Sequence, residues 1–247
     1  MTQGRLIPFH RGSATWNMAV DQAILESTSE QRSQSTATLR FYGWSKPTLS
    51  LGYFQSHRQV EPRFDALTKV RRSTGGGAII HDQELTYSLS IPTVSDQRVS
   101  REDLYVEMHA AIVDSLAEFG VSAQPFRLAG SGLGEEDAFL CFQRRTAEDL
   151  IVGGYKIVGS AQRRVRAALL QHGSILLKAS PSAPELPGVF DLTSVPVSID
   201  ELCTRLAEVV GRWMGIRWQR EDLKENEKLR ATELETRFKS SGWWLRR

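Results

Sequence analysis

The amino-acid sequence predicts an α/β (α+β) fold: a single domain in which helices flank a mixed, largely antiparallel sheet. Three observations predict it. Runs of β-branched and aromatic residues recur along the chain, amphipathic helical patterns lie between and after them, and the two do not alternate regularly. With 247 residues, 40% of them hydrophobic, the chain can bury a substantial core without disulfides or metals.

Strands are predicted where β-branched and aromatic residues cluster or alternate with polar ones. The predicted strands are 38–43, 48–53, 78–81, 85–91, 149–152, 155–158 and 169–177. The strict alternation over 85–91 predicts a strand with one buried and one exposed face. Gly153 and Gly154 predict a two-residue hairpin turn, which places Ile151 opposite Lys156 and position 150 opposite 157.

Helices are predicted from apolar spacing and from their end signals. They span 16–27 (capped by Ser13 or Thr15), 102–119 (ended by Gly120), 199–214 and 221–239. The polar run 27–38 is interpreted as a surface loop, and the four prolines in 180–198 predict a connector. We therefore expect one domain over 1–195, followed by a helical C-terminal extension over 196–247 that packs on it.

Composition and charge narrow the classes of function. Lys plus Arg is 31 and Asp plus Glu is 29, so a net charge of +2 argues against a dedicated nucleic-acid binder. Trp243 and Trp244 beside two arginines are therefore interpreted as packing for the last helix and not as a base-stacking surface. Two cysteines cannot form a disulfide framework, so a cytoplasmic location is expected. No stretch approaches the ~18 apolar residues that a membrane span needs.

A glycine triplet between two predicted strands is the first segment whose residues are candidates for ligand binding. The segment reads Arg71, Arg72, Ser73, Thr74, Gly75, Gly76, Gly77, Ala78. Bare backbone beside two guanidinium groups suits a phosphate or a carboxylate, but the segment lacks the lysine and helix of a P-loop. The alternative is a flexible turn with solvated arginines. His81, at the end of the following strand, either hydrogen-bonds an acyl carbonyl or is structural.

A cysteine and a lysine are the second pair of candidates. Cys141 lies among apolar residues, which alone favours a small buried side chain, and Cys203 lies on an apolar helix stripe. Lys156 follows the hairpin turn between apolar neighbours. It is either a desolvated base, a cation that binds a carbonyl or phosphate, or an edge lysine whose charge reaches solvent. Cys141 can approach Lys156 only if the loop 129–140 folds back over the sheet.

Small residues follow Lys156 along the same strand. Gly159, Ser160 and Ala161 leave room either for a slim ligand chain or for close packing. His172 and Gly173 return on the next strand, where His172 either lines the same cavity or fills the core. Three arginines form a basic rim nearby: Arg163, Arg164 and Arg166.

Together these segments resemble the biotin and lipoate protein ligase and transferase superfamily, over about 16–177. The segments that carry the resemblance are 71–78, 156–163 and 172–176. The resemblance implies the mixed, helix-flanked sheet of that family's catalytic domain, and it makes 1–195 a catalytic domain for acyl transfer or ligation.

Within the superfamily, segments 38–44, 51–55 and 81–88 are most similar to octanoyltransferases of the LipM type. So is Cys141, fifteen residues before Lys156. This resemblance implies that Cys141 carries the acyl chain and that Lys156 helps the thiol to ionise. It also implies a set of acyl-binding or adenylate-binding residues: Arg72, Gly75, Gly76, Gly77, Ala78, His81, Gly159, Ser160, Ala161, His172 and Gly173.

The resemblance further implies transfer of an octanoyl or lipoyl group without cofactor or metal. The implied partners are acyl carrier protein and a lipoyl domain, such as glycine cleavage H protein or 2-oxoacid dehydrogenase E2. A lipoate-protein ligase that uses ATP and Mg²⁺ stays an alternative, because Gly77 is similar to ligases where the transferases often have arginine. A non-catalytic acyl-binding protein is the third possibility.

Overall fold

Two β-sheets form the framework of the molecule, which the computed structural model describes over residues 2–30, 36–93, 100–129, 138–196 and 198–247. The strands are β1 (Thr2–Gly12), β2 (Thr38–Trp44), β3 (Thr48–Leu51), β4 (Thr68–Arg71), β5 (Ile79–His81), β6 (Glu84–Pro92), β7 (Gln124–Pro125), β8 (Leu150–Val152), β9 (Tyr155–Val165), β10 (Ala168–Leu176) and β11 (Ile216–Arg220). Within these ranges the large sheet has the order β11-β1-β2-β6-β10-β9-β8-β7, and the small one has the order β4-β3-β5.

The large sheet is mixed and mainly antiparallel, as the sequence predicted. Strand β1 runs parallel to both of its neighbours, β2 and β11. The remaining neighbours, from β2 through β6, β10, β9 and β8 to β7, pair antiparallel. In the small sheet, β3 is parallel to β4 and antiparallel to β5.

Helices cover both faces of the large sheet. They are α1 (Ala14–Glu30), α2 (Arg101–Ala117), α3 (Phe126–Ala129), α4 (Val189–Leu192), α5 (Ile199–Met214), α6 (Glu225–Lys239) and α7 (Ser241–Trp244). Side chains of β2 pack into a hydrophobic core on each face of the sheet. Leu39 and Phe41 belong to the core that includes α2 and α5, and Tyr42 and Trp44 belong to the core that includes α1 and α6. No helix of the described ranges is long and apolar enough to cross a bilayer.

Strand β6 differs from its prediction, because both of its faces are buried. The alternating serines face α1 and not water. Ser88 Oγ donates to Asp21 Oδ1 at 2.9 Å, and Ser90 Oγ donates to Thr28 Oγ1 at 3.0 Å. Periodicity alone cannot distinguish a polar face that meets solvent from one that meets the polar side of a helix.

Two further expectations need correction. The polar run 27–38 begins inside a helix, because α1 continues to residue 30 and its last serines and threonine are buried; residues 31–35 lie outside the described ranges. In the hairpin, Ile151 lies opposite Lys156 as predicted, but position 150 pairs with Val158 and not with 157. An irregularity between 150 and 151 shifts the register by one residue. The turn itself forms on Gly153 and Gly154, at φ values of 56° and 85°.

The C-terminal segment contributes a strand as well as helices. The predicted helix 199–214 coincides with α5, which ends on Gly215 in the left-handed conformation. Strand β11 follows directly and extends the large sheet beside β1. The segment 196–247 is thus not purely helical, and the division of the chain at residue 195 stays a prediction.

A buried ion pair fastens α6 to the edge of the sheet. Arg5, on β1, donates to both carboxylate oxygens of Glu227 at 2.6 Å, and both side chains are at most 5% exposed. Arg5 also donates to Thr38 Oγ1, and the backbone amide of Lys224 donates to Glu227. A bidentate pair of this kind is sensitive to the loss of either partner.

We expect Glu227→Gln to lower the free energy of unfolding by about 3–5 kcal/mol, because it leaves the Arg5 charge buried and unpaired. Urea denaturation measures the change. Glu225→Gln, in the same helical turn but exposed, is the control and should cost less than about 1 kcal/mol. Equal effects of the two substitutions would contradict this account.

Candidate active site

A narrow cavity of about 30 Å³ is lined by residues of both sheets. Strands β9 and β10 of the large sheet supply part of the lining, and Gly76 together with β5 supplies another part. The lining residues are Met18, Tyr42, Arg72, Gly76, Ile79, His81, Thr86, Cys141, Gly159, Ser160, Ala161, His172, Gly173 and Ser174. Nine of the residues that the sequence analysis proposed therefore meet at one place.

Cys141 reaches the cavity because its segment pairs with the end of the glycine loop. Ala78 and Leu140 form an isolated parallel bridge, in which Cys141 N donates to Ala78 O at 2.7 Å and Ala78 N donates to Phe139 O at 3.1 Å. A short 3₁₀ helix, Cys141–Gln143, follows and contacts β9. Most of the loop that was expected to fold back, 130–137, lies outside the described residues.

Lys156 lies directly beside Cys141. Its Nζ atom is 2.7 Å from Asp149 Oδ2, 3.1 Å from the Cys141 carbonyl oxygen and 3.8 Å from Cys141 Sγ. The lysine is 4% exposed and Asp149 is 1% exposed. The alternative of an edge lysine whose charge reaches solvent is therefore wrong. Lys156 is a buried cation, stabilised by a carboxylate that the sequence analysis did not identify as part of the site.

The sequence pattern around Asp149 indicates only weakly that this residue belongs to the site. It is a charged residue at the start of an otherwise apolar predicted strand, close to the lysine after the turn. In the structure it precedes β8, and the Thr146 amide donates to its Oδ2 at 2.7 Å. The hairpin thus brings the carboxylate back to the lysine that the same hairpin presents.

The two arginines before the glycines hold the loop in shape. Arg72 donates to the carbonyl oxygens of Gly75, Gly77 and Ser50 at 2.7–3.2 Å. Arg71 donates to carbonyl oxygens of segment 52–55 and of Trp244. Both arginines are buried, so the alternative of a flexible turn with solvated arginines is wrong.

The glycine segment divides into lining and supporting residues. Gly76 has a φ of 91° and lines the cavity. Gly75, Gly77 and Ala78 are absent from the described lining and act instead through their backbone. Gly77 packs so closely that a Cβ there would lie 3.0 Å from the Cys141 Cα. Its small size fits the backbone of the cysteine segment against the loop.

Two histidines line the cavity, each held by a buried carboxylate. His81 Nδ1 is 2.7 Å from Glu84 Oε1, and the ring stacks on Trp44. Burial lowers the pKa of His81, although Glu84 opposes the shift. His172 Nδ1 is 3.2 Å from Asp21 Oδ2, and its Nε2 is 2.7 Å from Thr74 Oγ1.

Ser160 connects the cavity wall to a buried polar chain. His109 Nδ1 donates to the Glu148 carbonyl at 2.6 Å, and burial lowers the pKa of His109 to about 4, so the ring is neutral at pH 7. Its Nε2 therefore accepts from Ser160 Oγ at 2.7 Å, and Ser160 Oγ in turn accepts from Tyr87 at 2.6 Å. The Ser160 proton points away from the cavity. Neither Tyr87 nor His109 was predicted to belong to the site, because their sequence patterns are those of ordinary core residues.

The other sequence-derived candidates occupy different places. Arg163 donates to the Ser73 carbonyl at 2.6 Å, while Arg164 and Arg166 are exposed. Cys203 lies in the core of α5, as predicted. Trp243 stacks edge-on against Phe238 of α6, which agrees with its interpretation as a packing residue.

Residues 13–225 match the family model of the lipoyl protein ligase A/B catalytic domain. The chain belongs to this family. Octanoyltransferase LipM of Kyrpidia tusciae is 34% identical, and that of Brevibacillus brevis is 32% identical, with all of both chains covered in each comparison. These relatives confirm the predicted superfamily and the enzyme class, an acyltransferase, and they do not favour the ligase alternative.

Solved structures of the family share the fold. A putative lipoate protein ligase from T. acidophilum with bound lipoic acid superposes with a TM-score of 0.81 at 25% identity, covering 99% of this chain and 100% of the other. A lipoate-protein ligase A bound with ATP gives a TM-score of 0.81 at 26% identity, with 99% of each chain covered. The predicted fold class is thereby confirmed.

The neutral His109 makes stability depend on pH. Below about pH 6.5 the unfolded chain protonates this histidine, while the folded chain, with its lowered pKa, does not, so stability falls as pH falls toward 4. We expect His109→Gln to flatten this dependence by roughly one proton per molecule. Urea denaturation at several pH values measures the slope. His57→Gln, at a surface site, is the control, and an unchanged slope in His109→Gln would contradict the assignment.

Proposed function

We propose that the protein transfers an octanoyl group from acyl carrier protein to a lysine of a lipoyl carrier domain, through a thioester on Cys141. The observation that carries the proposal is the position of Cys141 Sγ, at the cavity and 3.8 Å from the buried Lys156 ammonium. The full-length relatives named octanoyltransferase LipM support the acyl group and the reaction class.

The first step exchanges one thioester for another. The Cys141 thiolate attacks the octanoyl carbonyl carbon, the new bond from carbon to Sγ forms, and the bond to the carrier protein's sulfur breaks. The carrier leaves as a thiolate and takes a proton. Because a thiolate is the nucleophile, a nearby ammonium favours the reactive form of Cys141. Bonds of the same type are made and broken, so this step needs no ATP.

The second step forms an amide. The neutral amine of the acceptor lysine attacks the thioester carbonyl carbon, and the bond to Cys141 Sγ breaks. The amine loses a proton, and Cys141 returns to the thiolate beside Lys156. Because an amide is more stable than a thioester, this step runs downhill. The acceptor domains of this proposal are glycine cleavage H protein or 2-oxoacid dehydrogenase E2, and neither ATP nor Mg²⁺ takes part.

The octanoyl chain occupies the cavity in this proposal. Met18, Ile79 and Ala161 supply apolar contact, and each methylene that leaves water contributes up to ~0.8 kcal/mol. The Ser160 hydroxyl presents no free proton to this chain, because its proton is donated to His109.

Basic side chains near the glycine loop suit acidic carrier domains. Arg164 and Arg166 are exposed beside Arg163, which contacts the loop through Ser73. Arg246 stacks on Tyr53 at 4.1 Å, and Arg247 lies over Phe54. Charges placed around an entrance raise the rate of encounter with an oppositely charged partner, and salt screens the effect.

We expect the protein to gain one octanoyl group when it is mixed with octanoyl acyl carrier protein. Intact-mass measurement detects the adduct, which should be lost in Cys141→Ala and retained in Cys203→Ala. Hydroxylamine should remove it, because thioesters are labile to that nucleophile. An adduct that persists in Cys141→Ala would contradict the proposal. So would incorporation of free lipoate that depends on ATP and is unaffected by Cys141→Ala, because this result would identify a ligase.

We expect Gly159→Ala to slow acylation about 10- to 100-fold, because a Cβ at this position would lie 2.8 Å from Lys156 Cε and 3.2 Å from its Nζ. The lysine must then move from its place beside Cys141. Quenched-flow mass measurements give the rate. Gly242→Ala, where an added Cβ meets open space, is the control. Equal rates in the two variants would show that the position of Lys156 does not matter.

A further inference from the structure

One ring nitrogen of His81 has no hydrogen-bond partner among the described residues. The residue is 4% exposed, its Nδ1 is 2.7 Å from Glu84 Oε1, and its ring stacks on Trp44 with 3.9 Å between centroids. Its Nε2 is buried and unpartnered. Within the described ranges, no other buried polar side-chain atom of the cavity lining is in this state. Such atoms are uncommon in folded proteins, and a catalytic role is one of their recognised explanations.

The second histidine of the cavity differs in this respect. His172 Nδ1 is 3.2 Å from Asp21 Oδ2, and its Nε2 is 2.7 Å from Thr74 Oγ1. Both of its ring nitrogens are therefore engaged by the protein. Of the two histidines, His81 is the one that keeps a nitrogen for a substrate.

The carboxylate of Glu84 determines which nitrogen of His81 carries the proton. Besides the imidazole, Glu84 Oε1 accepts from the side chains of Thr86, Ser174 and Trp44 at 2.6–3.1 Å. Hydrogen bonds to a carboxylate favour its ionised form, which can only accept, so His81 Nδ1 donates. Burial lowers the pKa of His81, and the ring is neutral at pH 7. Its Nε2 therefore carries a lone pair and no proton.

A lone pair on Nε2 selects a hydrogen-bond donor. The carbonyl of the octanoyl thioester offers only an acceptor, and the octanoyl tail offers neither donor nor acceptor. The alternative in which His81 hydrogen-bonds an acyl carbonyl needs a proton on Nε2, and a neutral ring with its proton on Nδ1 has none there. Among the reacting groups of the second step, the amine of the acceptor lysine is the one that carries N–H bonds.

A chain of contacts places His81 and Cys141 at the same part of the cavity, which both residues line. Cys141 Sγ is 3.8 Å from Lys156 Nζ, and a Cβ built on Gly159 would lie 3.2 Å from the same Nζ. Gly159 on β9 lies opposite Ser174 on β10, and opposed residues of antiparallel strands are ~5 Å apart. Ser174 Oγ donates at 2.8 Å to the carboxylate oxygen that holds the imidazole.

We propose that His81 is the general base of the second step and that its Nε2 receives a proton from the acceptor lysine's amine. As the nitrogen bonds to the thioester carbonyl carbon, one N–H proton moves to Nε2 and the bond from carbon to Cys141 Sγ breaks. The products are the amide, the Cys141 thiolate and an imidazolium beside the Glu84 carboxylate. The imidazolium then releases its proton to solvent. This inference deepens the proposed function and rests on it.

The charged groups around the ring suit a transient protonation. Glu84 favours the protonated imidazole, whereas Arg72 and His172 disfavour it. Asp21 and Arg40 pair with each other at 2.6 Å, and Asp21 also faces His172. Burial and the two basic neighbours keep the ring neutral at rest, and the adjacent carboxylate supplies a counter-charge once the ring gains a proton.

Chemical loading of Cys141 separates the two steps for the test. A small activated octanoyl thioester acylates the protein without acyl carrier protein, the excess is removed, and Nα-acetyl-lysine amide is added as the acceptor. Mass spectrometry follows both the thioester and the amide. We expect His81→Asn, whose amide nitrogen can still donate to Glu84, to slow amide formation about 100-fold and to slow Cys141 acylation much less. His57→Asn, at a surface site, is the control and should match wild type.

Chemical rescue distinguishes a base from a side chain that only fills space. In His81→Ala, imidazole added to the solution should occupy the vacated space and restore amide formation about tenfold or more. Pyrazole has a similar size and shape but is a far weaker base, so it should restore little.

The position of the imidazole proton is measurable with no acyl group present. Long-range proton–nitrogen correlation spectra of wild type at pH 7 should show His81 with a proton on Nδ1 and none on Nε2. The His81→Asn spectrum assigns the signals to this residue.

Three results would overturn the proposal. They are amide formation in His81→Asn that slows no more than acylation, equal rescue of His81→Ala by imidazole and pyrazole, and a proton on Nε2 in the neutral ring. Absence of amide formation in loaded wild type would instead contradict the proposed function, and this inference with it, so the two failures are distinguished by the protein in which they appear.

Discussion

The buried ammonium of Lys156 is the interaction on which the site depends. It joins the strand after the hairpin turn, the carboxylate of Asp149 before the turn, and the short helix that begins at Cys141. An ammonium at this depth needs a counter-charge and a hydrogen-bond acceptor, and the two neighbouring segments provide one each. The contacts that offset the free-energy cost of burying the lysine also place the cysteine sulfur at the cavity.

Buried carboxylates around the cavity are paired with basic side chains. Asp21, Glu84 and Asp149 each compensate a basic side chain, and further hydroxyls complete their hydrogen bonds. These networks satisfy most of the buried polar groups of the walls, and the small residues of β9 and β10 line the space between them. The guanidinium of Arg72 donates instead to backbone carbonyls and to the Ser50 hydroxyl.

Local patterns predicted much of the fold. The hairpin on Gly153 and Gly154 and the helix 199–214 formed where glycine conformation and apolar spacing placed them. Strand β11 and the second buried face of β6 were not predicted, because both depend on neighbours distant in the chain. A serine facing Asp21 has the same alternation as a serine facing water.

The site was only partly predicted, because some of its residues have distinctive local patterns and others do not. Residues such as Gly159 and His172 stood out because small residues and histidines interrupt apolar strands. Asp149 and His109 were missed, since an acid before a strand and a histidine on a helix are common structural residues. The strand register within the hairpin does not predict the position of the Cys141 segment. That position depends on the bridge between Leu140 and Ala78, just before β5.

In the proposed reaction, the thioester on Cys141 is a competent intermediate and not a dead end. The most direct measurement isolates the octanoylated protein free of its donor and adds a lipoyl domain in the absence of ATP. The account predicts that the octanoyl group leaves Cys141 and appears on the domain's lysine in equal amount within a single turnover. A thioester that persists or is merely hydrolysed, with the domain unmodified, would contradict it.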